Sequence, residues 1–494
     1  MFDTLIKNVR IIDGGGGKIR TGDLAILAGR ISKIAYQDEG STHHDWKGRE
    51  VIQGDGFVLS PGFIDVHTHD DTNVIRSPDM LAKISQGITT VIVGNCGISA
   101  APVTLKGPAP APMSLLGPDD VFVYPRFSQY RAAVEAAKPS VNVAALVGHT
   151  ALRGNHMDTL DRLAKSDEIE KMRDQLREAL DEGALGLSTG LAYANAYEAT
   201  TDEIVALAEL LAEAGGIYTT HMRTEFAAII DAMDEAFTVG NRAGVPVVIS
   251  HLKCAGVENW GRSEEVLRHL EQAGKTRLRG CDCYPYTASS SLLDLKQVNP
   301  TLRIDITWST PHPEAAGKTL SDIASSWGLS LTAAAEKLLP AGAIYHNMSE
   351  ADVDRIISHP ATCIGSDGLP NDPLPHPRLW GAFPRVLSYY CREKKVFTLP
   401  QAIHKMTGRS AARYGLDERG LVKEGYWADL VLFNPDTIKD AATFLHPVRT
   451  AEGIRAVWVN GQLSYSEGAV QGSGAGRFLC RGTIRAEGFP FGTR

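Results

Sequence analysis

No stretch of this chain approaches the roughly 18 consecutive apolar residues that a membrane helix needs, so no span is expected. The opening MFDTLIKNVRIIDGG lacks the apolar core of a secretory leader. No long basic run occurs, and 58 acidic residues outnumber 50 basic ones for a net charge of −8. Nucleic acid is therefore not an expected partner. Cysteines are few, odd in number and scattered, seven in 494 residues. That argues against a disulfide framework and for a reducing, cytoplasmic setting. Internal repeats and long low-complexity tracts are absent too. With 43% hydrophobic and 22% charged residues, the remainder is an ordinary globular composition. It is long enough for a large barrel with a smaller attached domain.

Residues 1–60 hold short apolar-alternating runs separated by Gly-rich turns such as Gly14-Gly15-Gly16-Gly17. This is antiparallel β without a helical period. The same character returns late, at Ala428–Phe433 and Ile454–Val459, with a hairpin signal at Asn460-Gly461. The two ends, 1–60 and 415–480, are expected to meet in one small β-sandwich. Between them, over 61–414, apolar strands alternate with amphipathic helices at 166–182, 201–214, 225–243 and 263–273. Eight strand candidates over about 350 residues predict a TIM-type (β/α)8 barrel. The pattern breaks after Tyr284. Residues 285–343, with two helical pieces, are too long for an ordinary loop and read as an insertion covering the barrel mouth.

The candidate chemistry lies at the strand ends. PGFIDVHTH reads as a buried strand ending in His67 and His69. Residues i and i+2 of a strand share a side, so the two can converge on one metal ion. Cys96, His221, His251 and Asp367 end four further strands, and a parallel barrel brings all such ends to one mouth. Each has an ordinary alternative: a packed histidine, a buried thiol, a turn-capping aspartate. Six coincident placements favour a site. Imidazole suits zinc, and a thiolate sharpens the preference. Zinc lowers the pKa of a bound water toward ~7, and a nearby Asp367 can move its proton. This is the chemistry of C–N hydrolysis. Lys253 lies two residues after His251 and points the same way if the strand continues, which suits an anionic substrate. Arg223 lies two after His221 and either binds a carboxylate or pairs with Glu225 or another acid. Cys281 and Cys283 have the spacing of a metal pair, but a barrel strand produces that spacing by chance. His149 also ends a strand.

The segments PGFIDVHTH, GNCGISAAP, GLSTGLAYANAY, YTTHMRTE, VVISHLKCAG, GCDCYPYTASSSLLDLKQV and GSDGLPNDPLPHPRLWG together resemble the D-aminoacylase (N-acyl-D-amino-acid deacylase) family of the amidohydrolase superfamily. The likeness spans nearly the whole chain. Most superfamily members bridge two metals with a carboxylated lysine or glutamate after the fourth strand. Here that place reads Gly186-Leu187-Ser188-Thr189-Gly190, and Cys96 stands after the second strand instead. The resemblance implies one tight Zn2+ on Cys96, His221 and His251, and a weaker position on His67, His69 and Asp367 that Cys96 can bridge. It implies Asp367 as general acid/base, and Lys253, Tyr284 and Ser290 on the substrate α-carboxylate. Tyr193 and Arg378 belong to mouth loops. The implied substrate is an N-acyl-D-amino acid. The apolar run Ser289–Leu295 leans toward neutral, hydrophobic side chains. The alternatives are a cyclic amidase of the same superfamily and a non-catalytic barrel scaffold. Oligomeric state is not legible.

Overall fold

The computed structural model describes residues 1–39, 45–472 and 474–491. The alternating runs at the two ends join in one nine-stranded sheet. The seam is Val58–Pro61 against Leu430–Phe433, antiparallel, with Leu59 opposite Leu432. Ile6, Val9, Leu24, Leu59, Leu432 and Trp458 share its buried core. The antiparallel expectation fails in two places. Phe2–Ile11 runs parallel to Gly48–Gln53 and, further along, to Val58–Pro61. The intervening hairpin of Arg20–Leu27 and Arg30–Tyr36 supplies the crossover that parallel pairing requires.

The barrel has eight parallel strands. They are β1 (Phe63–Asp65), β2 (Ile88–Val93), β3 (Asn142–Ala145, resuming at Val147–Gly148), β4 (Gly186–Gly190), β5 (Ile217–His221), β6 (Val247–Ile249), β7 (Arg279–Cys283) and β8 (Thr362–Ile364). Each pairs with the next in parallel register. The ring closes where the Val66 N–H reaches the Ile364 carbonyl (3.5 Å), the Asp367 N–H reaches the His67 carbonyl (2.8 Å), and Thr68 bridges Gly368.

Helices Ser166–Asp181, Thr201–Ala214, Ile229–Ala243 and Ser263–Gly274 alternate with the strands. Thr201–Ala214 shows why. The Thr200 hydroxyl caps the Glu203 N–H, and Ile204, Leu207, Ala208 and Leu211 form the buried stripe. Each buried leucine or isoleucine contributes roughly 1.5–3 kcal/mol. The next helix starts four residues later than expected, at Ile229, which leaves Glu225 in irregular chain. Among the described residues no helix is long and apolar enough to cross a membrane.

The stretch after β7 contains more than two helices. Ser289–Leu292, Ala341–Tyr345 and Ile304–Ser309 form an antiparallel sheet. Leu320–Trp327 and Leu331–Leu338 pack on it around a separate core that includes Leu293, Ile306 and Leu338. Beyond the terminal sheet the chain returns to the barrel. The Val143 N–H bonds the Arg477 carbonyl, and the Leu479 N–H bonds that of Val143. Phe489 packs with Ile64, Ile92, Leu146 and Val248 inside the barrel.

Candidate metal centre

β1 stops at Asp65, so His67 and His69 lie just past it. Their convergence comes from the chain's descent into the mouth rather than from strand alternation. The Asp65 carboxylate holds this end by accepting from the N–H groups of His67 (3.4 Å) and Ser366 (2.8 Å). Fully buried Lys83 donates to Asp65 (2.9 Å) and to the Ser366 hydroxyl (2.8 Å) and pairs with Asp70 (3.1 Å). One lysine thereby ties the His67–His69 segment to the neighbour of Asp367.

All six ligand-type residues come together. Cys96 Sγ lies 3.2 Å from His67 Nε2 and 3.4 Å from His251 Nε2. His251 Nε2 lies 3.0 Å from His221 Nδ1. Asp367 Oδ1 lies 3.1 Å from His69 Nε2 and 3.5 Å from His67 Nε2. Two donor sets result, His67, His69, Cys96 and Asp367 in one, and Cys96, His221 and His251 in the other. In each set the donor atoms lie within 4.8 Å of one another, and Cys96 belongs to both. A tetrahedral zinc at ordinary bond lengths would hold its donors about 3.3–3.6 Å apart. The nitrogen–sulfur–carboxylate chemistry and the spacing both fit that ion.

Burial opposes every charge here, yet the charges sustain one another. Burial works against protonated His67, but Cys96, Asp282 and Asp367 hold its imidazolium well above the usual value. His69 is likewise pushed up to about 9 against burial, by its bond to Asp367. Burial would raise the Cys96 thiol, but His67 and His251 hold it well below its ordinary range. Burial would raise Asp367 too, but Arg378 and His67 hold it low. Thiolate and carboxylate at this point need positive charge between them.

A second layer orients the donors. Asp282, between the two cysteines of β7, lies 3.2 Å from His67 Nδ1 and accepts from the His251 N–H (2.9 Å). Glu225 lies 2.9 Å from His251 Nδ1 and 2.5 Å from Lys253 Nζ. Burial notwithstanding, Lys253 and His251 keep its carboxyl far below the usual range. Lys253 Nζ itself sits 2.9 Å from His251 Nδ1. The strand does not continue to Lys253: β6 ends at Ile249, and His251 turns at φ +35. The turn, and not β alternation, brings Lys253 to the site.

Arg378 Nη1 pairs with Asp367 Oδ2 at 2.9 Å, its Nη2 donates to the Ser290 carbonyl (3.1 Å), and its guanidinium stacks 4.5 Å over Tyr284. The Tyr284 and Ser290 hydroxyls are buried with no hydrogen-bond partner in the protein, which leaves both able to bond a ligand. Tyr193 packs on His221 at 4.9 Å between ring centroids.

Other expectations fall to ordinary roles. Arg223 takes its pairing alternative, with Glu235 (2.9 and 2.8 Å) and not Glu225; its other donors go to the Tyr197 and Ala199 carbonyls. That geometry favours the pairing alternative over a substrate contact. His149 is held by Glu203. Cys281 meets Thr362 Oγ1 (3.3 Å), and burial raises the thiols of Cys281 and Cys283. Neither belongs to a metal-capable group among the described residues. Sequence reasoning missed Lys83, Glu225 and Asp282. Glu225 closes THMRTE and Asp282 stands inside GCDCY, so both lay within motifs already singled out. Lys83, in a four-residue helix, gave no signal.

Known proteins resemble this chain over most of its length. Residues 50–283 and 326–465 match the amidohydrolase family profile. The chain is 48% identical over 461 residues to the N-acyl-D-aspartate deacylase of Alcaligenes xylosoxydans xylosoxydans, covering 93% of this chain and 91% of that protein. A D-aminoacylase with a binuclear metal centre, known in structure, superposes with a TM-score of 0.93 at 45% identity, covering 97% of this chain and 100% of the other. The N-acyl-D-glutamate deacylase of Bordetella bronchiseptica, solved with zinc and a phosphonate mimic of the tetrahedral intermediate, gives 0.92 at 43% identity, covering 97% and 99%. A barrel with a terminal sheet, a cysteine-centred donor cluster and relatives alike over nearly their whole length place this chain in the D-aminoacylase family of the amidohydrolase superfamily.

Proposed function

We propose that this enzyme hydrolyses N-acyl-D-amino acids to a carboxylate and a free D-amino acid, uses zinc, and prefers neutral side chains. The observation that carries this reading is the pair of donor sets meeting at Cys96, with Asp367 in one of them. Cys96, His221 and His251 hold the tight zinc. His67, His69 and Asp367 form the weaker position, with Cys96 shared. Zinc in the Bordetella relative supports the metal, and one-metal activation with second-metal attenuation in the D-aminoacylase supports unequal positions.

When bound, zinc polarises the scissile carbonyl and lowers the pKa of water toward ~7. Asp367 is the general acid/base. Its ionised carboxylate takes the proton of the attacking water and delivers it to the departing nitrogen. Arg378 fixes one of its oxygens and leaves the other facing His67 and His69. Lys253, Tyr284 and Ser290 receive the α-carboxylate, which gives the two unpartnered hydroxyls their acceptor. Arg378 adds positive charge beside Tyr284, and Tyr193 walls the His221 side. Amide, carboxylate and side chain make three fixed points around the α-carbon, so one enantiomer fits.

Leu293 and Leu295 of the insertion's apolar start do not carry the side-chain preference in this reading. Leu293 is buried in the insertion's own core with Leu295 packed against it, while Ser290 and Ser291 reach Arg378 and Tyr193. Charge supports it instead. Lys253 and Arg378, the buried cations at the site among the described residues, each already face an acid. Both are given to the α-carboxylate in this reading, and among the described residues no other lysine or arginine contacts the donor sets, which leaves no further cation for a carboxylate on the side chain. In this reading residues 285–343 cover the mouth, and the seven free cysteines suit a reducing cytoplasm.

The test is a substrate panel. N-acetyl-D-methionine and N-acetyl-D-leucine should be hydrolysed, and their L forms at least ~10²-fold more slowly, because a misplaced carboxylate leaves buried donors unpaired. Comparable rates on both enantiomers overturn the D-deacylase reading. A preference for N-acetyl-D-aspartate or N-acetyl-D-glutamate overturns the neutral side chain alone.

A further inference from the structure

GLSTG of β4 has no place yet in the chemistry. It stands where a metal-bridging residue is expected, and it offers no ligand. In the structure it lies against GNCG. The Ser188 hydroxyl, fully buried, donates to the Gly94 carbonyl (2.5 Å) and accepts from the Gly97 N–H (3.0 Å). One side chain therefore clamps both ends of the four-residue turn that carries Cys96. The turn needs a clamp. Cys96 sits at φ +53, a left-handed conformation that residues with a Cβ adopt rarely.

The packing around it leaves no slack. A Cβ on Gly190 would lie 2.2 Å from the Cys96 carbonyl oxygen, so β4 admits no side chain there. A Cβ on Gly148, the β3 residue in register with Ser188, would lie 2.6 Å from the Gly97 carbonyl oxygen. That carbonyl accepts from the Thr150 N–H (2.8 Å). The turn is seated on the tips of β3 and β4, and its thiolate arrives between His67 and His251.

We infer that Ser188 is a positioning residue for the metal centre: it holds Cys96 in the left-handed turn that aims the thiolate at both donor sets. β4 thereby serves the metal through the backbone of Cys96 instead of through a ligand of its own. The inference rests on Cys96 being a ligand, and the experiment separates the two.

Cobalt(II) is loaded in place of zinc, and the thiolate-to-cobalt charge-transfer band and chelator-competition affinity are measured. The melting temperature of the metal-free protein is measured beside them. Wild type should show a band that Cys96→Ala lacks; no such band overturns the ligand reading and, with it, the role of Ser188. Given the band, Ser188→Ala should weaken cobalt and zinc binding about 10–100-fold, the range for residues that orient a ligand, and should shift the band. Its metal-free melting temperature should match that of Thr189→Val. The Thr189 backbone packs on Gly97, but its hydroxyl bonds Tyr218 and Thr220 and not the turn, so removal of that hydroxyl should leave the band unchanged. Ser188→Thr should restore affinity and band, and Ser188→Val, nearly the same shape without the hydroxyl, should not. An unchanged band and affinity in Ser188→Ala overturns the inference. So does equal metal binding in the Thr and Val variants, which decides the matter even if Ser188→Ala does not fold.

Discussion

At the tip of β3, His149 Nε2 meets Glu203 at 2.9 Å, and Arg153 grips both oxygens of the same carboxylate at 2.7 and 2.8 Å. The second Arg153 nitrogen donates to the Leu160 and Arg162 carbonyls. One carboxylate thus collects an imidazole and a guanidinium, although His149 Nδ1 and Arg153 Nε have no partner. Around Cys96, by contrast, Sγ and three imidazole nitrogens face one another at 3.0–3.4 Å, and hydroxyls nearby stand unpaired. Both clusters are buried and both begin at strand ends. Burial of a histidine at a barrel mouth is thus no mark of a site. What marks it is that lone pairs converge on one point, whereas in the β3 cluster the Glu203 carboxylate already faces Arg153.

The most severe way to break the contrast is Cys96→Ala. It removes the atom common to both donor sets, so the protein should fold but contain no stoichiometric zinc and show no turnover. Metal analysis beside a steady-state assay decides this, and a zinc-replete, active variant removes Cys96 from the site. His67 or His69 replacements should cost less zinc; equal loss in all variants contradicts unequal positions. Asp367→Asn keeps shape and removes the proton acceptor. Turnover should fall at least ~10²-fold with tight-site zinc retained; near-normal turnover at neutral pH assigns the proton to another group. Lys253→Met should act on binding, raising KM for N-acetyl-D-methionine strongly and narrowing the gap against carboxyl-amidated substrates. An unchanged KM moves the anchor to Arg378.

Much of this arrangement was legible, and the reasons differ by residue. Alternating strand and helix periods gave the barrel, and parallel strands oblige every C-terminal end to share one mouth, so six distant residues met without any tuning of register. Their local geometry was hidden. Cys96, His251 and Asp367 all have positive φ, at +53, +35 and +51, and periodicity carries no information on such backbone. Strained positions of this kind gather at functional sites. Lys253 was expected beside His251 and lies there, but a turn and not a strand delivers it. One strand of the insertion's sheet, Ser289–Leu292 (SSSL), carries no apolar alternation, whereas Ile304–Ser309 (IDITWS) alternates and was passed over. Asp282 and Glu225 act across tertiary contacts that no spacing reveals.

The smallest effect on catalysis, and the sharpest test of the contrast, is Glu203→Gln. It keeps the shape of the β3 cluster and removes its one negative charge, leaving Arg153 buried and unpaired. Breaking a buried pair costs about 3–5 kcal/mol of stability, while kcat/KM should stay within about twofold of wild type because none of the three residues touches the donor sets. The pH dependence checks the electrostatics. Burial alone would raise the Glu203 carboxyl, but His149 and Arg153 hold it below its ordinary value in the folded chain. A depressed carboxylate contributes stability that is full above its unfolded pKa, about 4.3, and is lost as pH falls through the folded value. Wild type therefore has an acid limb that the Gln variant lacks in part. Melting temperatures of the two should stand furthest apart at neutral pH and converge below about pH 4. A gap that stays constant from neutral to acid pH would mean that the charge of Glu203 contributes nothing, and that the β3 cluster is held by shape alone.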